Sequence, residues 1–103
     1  MPPSLLEEHL QSLPKQPGVY LMYDAHHRVI YVGKARRLQN RVRSYFQNSA
    51  LHSPKIIKMI PHIERIETIV TDTEIEALVL EANLIWKVSL ELAMSVLPLP
   101  SNL

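Results

Sequence analysis

Residues 18–34 read GVYLMYDAHHRVIYVGK, two short apolar runs separated by a polar tetrad. Val, Ile, Leu and Tyr dominate residues 18–23 and 28–33, and the DAHH loop between them makes the pair a β-hairpin. If the four-residue loop leaves Tyr23 opposite Arg28, antiparallel pairing sets Tyr20 opposite Tyr31 and Gly18 opposite Gly33. The two phenols then share one sheet face, whereas a slip of one residue would place them on opposite faces. Gly33 ends the second run without a side chain, which leaves room for a phosphate or another backbone just before Lys34. Paired tyrosines most often simply pack, so the hairpin alone argues for a fold and not for a reaction.

The flanking segments supply helices. Upstream, Ser4 and Glu7 stand at capping-box spacing before Leu5, Leu6, Leu10 and Leu13, and Pro14 and Pro17 end that helix. Downstream, Leu38, Val42, Tyr45 and Phe46 recur at helical spacing, the QNSA stretch breaks the pattern, and a shorter helix runs from Pro54 to Met59 before Pro61. IERIETIVT, with Ile63, Ile66 and Ile69, reads as a third strand. Asp72 or Thr73 then caps a last helix, with Glu76 at box spacing from Thr73, running through EIEALVLEANLIWK as far as Leu97. The expected architecture is α/β of the α+β kind, a small three-stranded antiparallel sheet flanked by helices. It divides into an N-terminal helix (1–13), a core domain (14–87) and an apolar tail (88–103).

With 103 residues, 47% of them hydrophobic, the chain suits one compact domain and leaves no room for a second catalytic one. It has no cysteine, which excludes disulfides and thiolate zinc sites. No apolar run approaches ~18 residues and the N-terminus lacks the pattern of a signal peptide, so the expectation is a soluble cytoplasmic protein with no membrane partner.

The net charge of +1 conceals a strong asymmetry. Eight of the eleven Lys and Arg fall within residues 25–63 (Arg28, Lys34, Arg36, Arg37, Arg41, Arg43, Lys55 and Lys58), and none of the ten acids does. Clustered cations of this kind suit a polyanion, because binding phosphates releases condensed counterions; a merely solvated helix is the plainer explanation. Arg37 and Arg41 are i,i+4 neighbours and Tyr45 continues their stripe, so two guanidinium groups and a phenol are expected to project from one side while Leu38, Val42 and Phe46 face the core. The guanidinium fork matches phosphate oxygens and keeps its charge. Arg36 and Arg43, like Lys55 and Lys58, suit general backbone contacts, while Lys34 at the strand end is better placed for chemistry.

Glu81 is flanked on its helix by Ala77, Leu78, Leu84 and Ile85, so its carboxylate emerges from an apolar face. A carboxylate partly removed from water needs a cation or hydrogen bonds. A divalent metal, an arginine or solvent would each serve. His26, His27, His52 and His62 match no metal-ligand spacing and are expected on loops or the surface.

GVY and YVG, followed by GKARRLQNRVRSYF and VTDTEIEALVLEANLI, resemble the GIY-YIG endonuclease superfamily, and within it the N-terminal nuclease domain of the UvrC-type excinucleases. The resemblance covers roughly residues 12–87. It implies DNA cleavage in a site with a single divalent metal, Mg²⁺ or Mn²⁺, and nucleotide-excision repair as the setting. By it, Tyr20 and Tyr31 are the paired tyrosines, Lys34 the lysine, Arg41 the catalytic arginine, Tyr45 the helix tyrosine and Glu81 the metal carboxylate. Lys34 beside a phenol would lower its pKa, and either Tyr20 or Tyr31 could then serve as general base for water. DNA is the implied substrate, with the UvrB component of the excinuclease or a DNA-delivery protein as partner. The tail departs from the pattern, because the family's later asparagine falls at Ala93 and Asn102 lies too far along. A DNA-binding module with impaired catalysis is therefore the alternative, and a protein-interaction domain a further one.

Overall fold

A computed structural model describes residues 3–47 and 52–96. Helix α1 (Pro3–Ser12) leads into strands β1 (Gly18–Tyr23) and β2 (Val29–Ala35). Helices α2 (Leu38–Ser44) and α3 (Pro54–Met59), a 3-10 turn (Ile60–His62), strand β3 (Arg65–Val70) and helix α4 (Glu74–Val96) follow. The sheet is three-stranded and antiparallel, as the sequence led one to expect, and its strand order is β2-β1-β3. Helix α1 begins at Pro3, so Ser4 lies inside its first turn and is not its cap.

The hairpin register differs from the expected one. Tyr20 stands opposite Gly33, Met22 opposite Tyr31 and Gly18 opposite Ala35, with a shift between Met22 and Tyr23. The cause lies in the loop, which spans residues 24–28. Asp24 Oδ1 accepts from the N–H groups of His26 (2.8 Å) and Arg28 (3.0 Å), and His27 takes a left-handed φ of 60°. An aspartate that accepts local backbone bonds favours this kind of turn, and histidine is among the residues enriched at positive φ. Those two bonds, that of Arg28 first, hold the Asp24 carboxyl below its ordinary pKa range. The displacement is an even number of residues, so Tyr20 and Tyr31 still share a sheet face, now diagonally.

Strand alternation divides the core into two layers. Tyr20 and Met22 pack with Ile66, Ala35, Leu10 and Leu13 of the α1 segment, and Leu38 and Val42 of α2. Val19 and Leu21 face the other way onto Ala77, Leu80 and Leu84 of α4. Only that stripe of α4 is used, and Ile75, Leu78, Val79, Ile85, Trp86, Leu90, Leu92 and Met94 remain exposed. The apolar tail continues α4 as far as Val96, and Asn102 lies outside the described residues.

Two helix starts are fixed by identifiable bonds. Thr73 caps α4, its Oγ1 accepting from Glu76 N at 3.1 Å, while the Glu76 carboxylate accepts from Asp72 N at 3.2 Å. This is a capping box displaced by one residue. Helix α2 has no side-chain cap at Arg37. Its first N–H groups are instead satisfied by the loop after α1, Leu38 N donating to Gln16 O (3.1 Å) and Gln39 N to Pro14 O (2.9 Å). The buried Gln39 amide adds a bond to Gln11 O at 3.0 Å. The basic helix is thereby held in a fixed direction over the end of the hairpin.

Candidate active site

Three phenols meet where the first sheet face passes under the end of α2. Tyr20, on β1, stacks with Tyr31 of β2 (centroids 6.0 Å, 25°), and Tyr45 closes the triangle edge-on at 5.8 Å from Tyr20 and 5.9 Å from Tyr31. Such offset and edge-to-face contacts are the favoured aromatic geometries. Tyr45 lies just past the last α2 residue and is buried, not projecting to solvent with Arg37 and Arg41 as its helical spacing suggested. Its backbone stays helical (φ −65°, ψ −26°), so it continues the buried side of the helix, seven residues after Leu38 and three after Val42. Tyr20 and Tyr45 share a hydrogen bond between hydroxyls at 2.6 Å.

Gly33 makes the triangle possible. A Cβ placed there would overlap Cζ and Oη of Tyr20 and stand 2.8 Å from its Cε1. The space that glycine leaves is therefore filled by a tyrosine ring, and the expected approach of a phosphate or a second backbone at Gly33 is replaced by this contact.

The phenols are held protonated to different degrees. Burial, then the bond to Tyr45, drives the Tyr20 pKa far above the usual phenol value. Burial raises Tyr45 from 10.0 to about 12, with the neighbouring Tyr31 adding to it and the Arg41 charge opposing. The expected lowering by Lys34 is not seen at these two groups. Opposing influence comes from the bond to Tyr20 and then from Arg41 at Tyr45, and from Arg41 at Tyr20, while Lys34 pairs with Val19 and so points to the other sheet face.

Two clefts meet at Arg41 and Ser44. One, lined by Tyr31, Tyr45, Gln47, His52, Ser53 and Ile56, opens beside the phenols. The other, of about 690 Å³, runs between the start of α2 and the first turns of α4, and is lined by Lys34, Arg36, Arg37, Asn40, Glu74, Ala77 and Leu78 among others. Arg41 and Ser44 are common to both linings, with Tyr31 and Tyr45 in one cleft and Lys34 and Arg37 in the other. Arg36 reaches Glu74 at 3.2 Å, both side chains largely exposed. Arg43 is half-buried, and Lys55 and Lys58 lie exposed on α3, lining neither cleft.

Glu81 follows Ala77 by one turn of α4, about 6 Å along the axis, and so stands just beyond the larger cleft. It is half-buried at the border of the packed stripe. Ala77 and Leu84 face the sheet, but Leu78 and Ile85 are exposed, so the apolar enclosure is one-sided and not the full surround that the sequence implied. Among the described residues no ion pair forms at Glu81 and no three His, Asp or Glu converge as a metal cage. A single carboxylate oxygen donor fits a small hard cation that keeps most of its own water, as Mg²⁺ does.

Asn40, Ser44 and His52 line these clefts without having been singled out as site residues. Asn40 is offset from the Arg37/Arg41 stripe only by its place on the short helix. His52 lies beyond a break whose path no periodicity encodes; its ring stacks on Tyr45 (5.9 Å, 12°), not at the surface.

Comparison with known proteins agrees with this geometry. Residues 16–90 match the family described as UvrC-like GIY-YIG domain. UvrABC system protein C of Symbiobacterium thermophilum is 61% identical over 82 residues, which is 80% of this chain and 13% of that protein. The same protein of Caldanaerobacter subterraneus subsp. tengcongensis is 60% identical over 82 residues, with the same coverage. The chain therefore spans 13% of the length of these curated relatives. The crystal structure of the GIY-YIG N-terminal endonuclease domain of UvrC from Thermotoga maritima, bound to its catalytic divalent cation magnesium, superposes with a TM-score of 0.73 at 37% identity. That match covers 86% of this chain and 94% of the solved one. Four point mutants of that domain, three of them tyrosine to phenylalanine and one asparagine to alanine, are also bound to the catalytic cation.

Proposed function

This chain belongs to the UvrC-like GIY-YIG domain family, and from that membership we propose that it is a divalent-metal-dependent DNA endonuclease domain of the excision-repair type. The observation that carries the reading is the meeting of Tyr31 and Arg41 at the junction of a phenol-lined cleft and a cationic one, with Glu81 one helical turn further on.

A phosphodiester repels nucleophiles by its charge, so catalysis must neutralise the phosphate and supply a base. Arg37 and Lys34 bind the strand along the larger cleft, and Arg41, reaching both clefts, sets its guanidinium against the phosphate that reacts. Glu81 holds Mg²⁺ or Mn²⁺, which when bound polarises a phosphate oxygen and stabilises the leaving alkoxide. For the base, Tyr20 is excluded by its own environment. Its hydroxyl is buried, is committed to Tyr45 and is costly to ionise. Tyr45 is bound in the same pair. Tyr31 is half-buried and opens into the cleft beside Arg41, and as the phenolate it takes the proton from the attacking water and becomes the phenol. Tyr20 and Tyr45 hold the Tyr31 ring in place. DNA is the substrate, and the other components of the UvrABC system are the partners that the relatives' names indicate.

Nicking of supercoiled plasmid by Tyr31→Phe and Tyr20→Phe tests the assignment. Tyr31→Phe is expected to lose at least about 10²-fold in rate, the scale of general-base catalysis, and Tyr20→Phe much less. Nicking by Tyr31→Phe at the parent rate would overturn it. Ala93 at the place of the family's asparagine supports the second reading, a domain that binds DNA without cutting it. In that case no variant nicks and all retain binding.

A further inference from the structure

A buried polar atom without a partner is uncommon in a folded protein and calls for a reason. Among the described residues, one such side-chain atom is Nε2 of His52. The imidazole lies flat on Tyr45 and shares a cleft with Tyr31 and Arg41. Stacking explains the ring and leaves the nitrogen unexplained, because a phenyl group would make the same contact without stripping a polar atom of water. Three hydroxyls at or beside the same cleft have bonds elsewhere. Ser44 Oγ donates to Arg41 O at 2.6 Å, Ser53 Oγ accepts from Ile56 N at 3.3 Å, and Tyr45 is bound to Tyr20. No neighbouring side chain in this set therefore satisfies the imidazole. A ligand in the open cleft is a partner with an oxygen to offer, and Arg41 beside it favours an anionic one.

We propose that His52 is a substrate-contacting residue, whose Nε2–H donates to a backbone phosphate oxygen of the bound strand on the Tyr45 side of Arg41. The assignment rests on the endonuclease reading above. The strand would then be gripped from two sides of Arg41, by Lys34 and Arg37 along one cleft and by His52 in the other. Parallel stacking allows the imidazole to slide a short way across Tyr45 and bring Nε2 to the cleft surface while keeping its ring contact.

The decisive variant is His52→Phe, which keeps a flat ring on Tyr45 and removes only the nitrogen function. Plasmid nicking is expected to show KM raised about tenfold, the scale of one hydrogen bond to a charged group, with kcat changed little. The melting temperature should hold or rise, because the unpartnered atom is gone. A purely structural ring predicts the opposite, with His52→Phe matching the parent in KM, and that result overturns the proposal. If His52→Phe fails to fold, His52→Gln and His52→Ala replace it. Tighter DNA binding by the glutamine variant, which retains an N–H donor, supports the proposal, and equal binding overturns it. If the parent itself does not nick, the endonuclease reading fails separately. DNA affinity in EDTA then decides for His52, since parent binding about tenfold tighter than His52→Phe supports the contact and equal affinities refute it.

Discussion

Replacing Gly33 by alanine asks a single methyl group to occupy space that Tyr20 already fills. The added Cβ would overlap Cζ and Oη of Tyr20, and Tyr20 has little room to retreat, being 2% exposed with Met22 and Leu38 in the same core layer. Overpacking of this kind costs about 1–3 kcal/mol. Moving the ring also breaks the 2.6 Å bond to Tyr45, and a buried hydroxyl left unpaired adds about 1–3 kcal/mol. Against this, alanine gains about 0.4–1 kcal/mol by restricting the unfolded chain. The clash wins by roughly 1–6 kcal/mol, and at about 4–8 °C per kcal/mol for a domain near this size the melting temperature should fall by at least about 4 °C. Thermal or urea unfolding measures it. The double variant Gly33→Ala with Tyr20→Leu should be little less stable than Tyr20→Leu alone, because without the ring there is nothing to overlap. A Gly33→Ala melting point within about 3 °C of the parent, or full additivity in the double variant, would refute the packing argument.

The buried phenol pair also predicts alkaline instability. Tyr45 is raised from 10.0 to about 12 and Tyr20 further, so the unfolded chain releases these protons first; stability is fully present below pH 10 and falls as pH rises from there through about 12. Phenolate absorbance should show two of the four tyrosines titrating late, and a domain equally stable at pH 9 and pH 11 by urea unfolding would contradict that. Affinity for DNA should fall steeply with salt whatever the sequence. Arg37→Ala should flatten the log–log salt slope by about one, and Arg36→Ala by less, because Glu74 already offsets part of that charge. Equal slopes for both variants and the parent would remove these residues from the interface.

The parts legible in the sequence were those governed by local rules. Capping-box spacing located Thr73, the QNSA break and Pro61 bracketed α3, and β-branched runs located three strands. Their order alone gave the helix-flanked sheet. What the sequence hid depends on one bend or on the choice of a face. The Asp24 and His27 geometry displaced the register by two residues, an amount invisible to periodicity because it preserves every face. Tyr45 stands at helical spacing both from Arg41 and from Val42 and Leu38, and the structure places it with the two buried residues. Strand alternation sent Lys34 to the face away from the phenols, which the closeness of Tyr31 and Lys34 in sequence obscured. The raised pKa values of Tyr20 and Tyr45 follow first from burial, and burial is a property of packing and not of residue type.

The central claim is a metal-assisted cut directed by Glu81, and Glu81→Gln tests it most directly. The amide keeps the shape of the side chain and removes the charge that a hard cation requires. Nicking of supercoiled plasmid is measured in Mg²⁺ and in Mn²⁺, alongside DNA binding in EDTA and thermal unfolding. The account predicts that nicking falls by orders of magnitude in both metals, while binding persists and the melting temperature holds or rises. The same nicking rate in parent and variant would contradict it, and so would a variant that unfolds, which would recast Glu81 as a structural carboxylate.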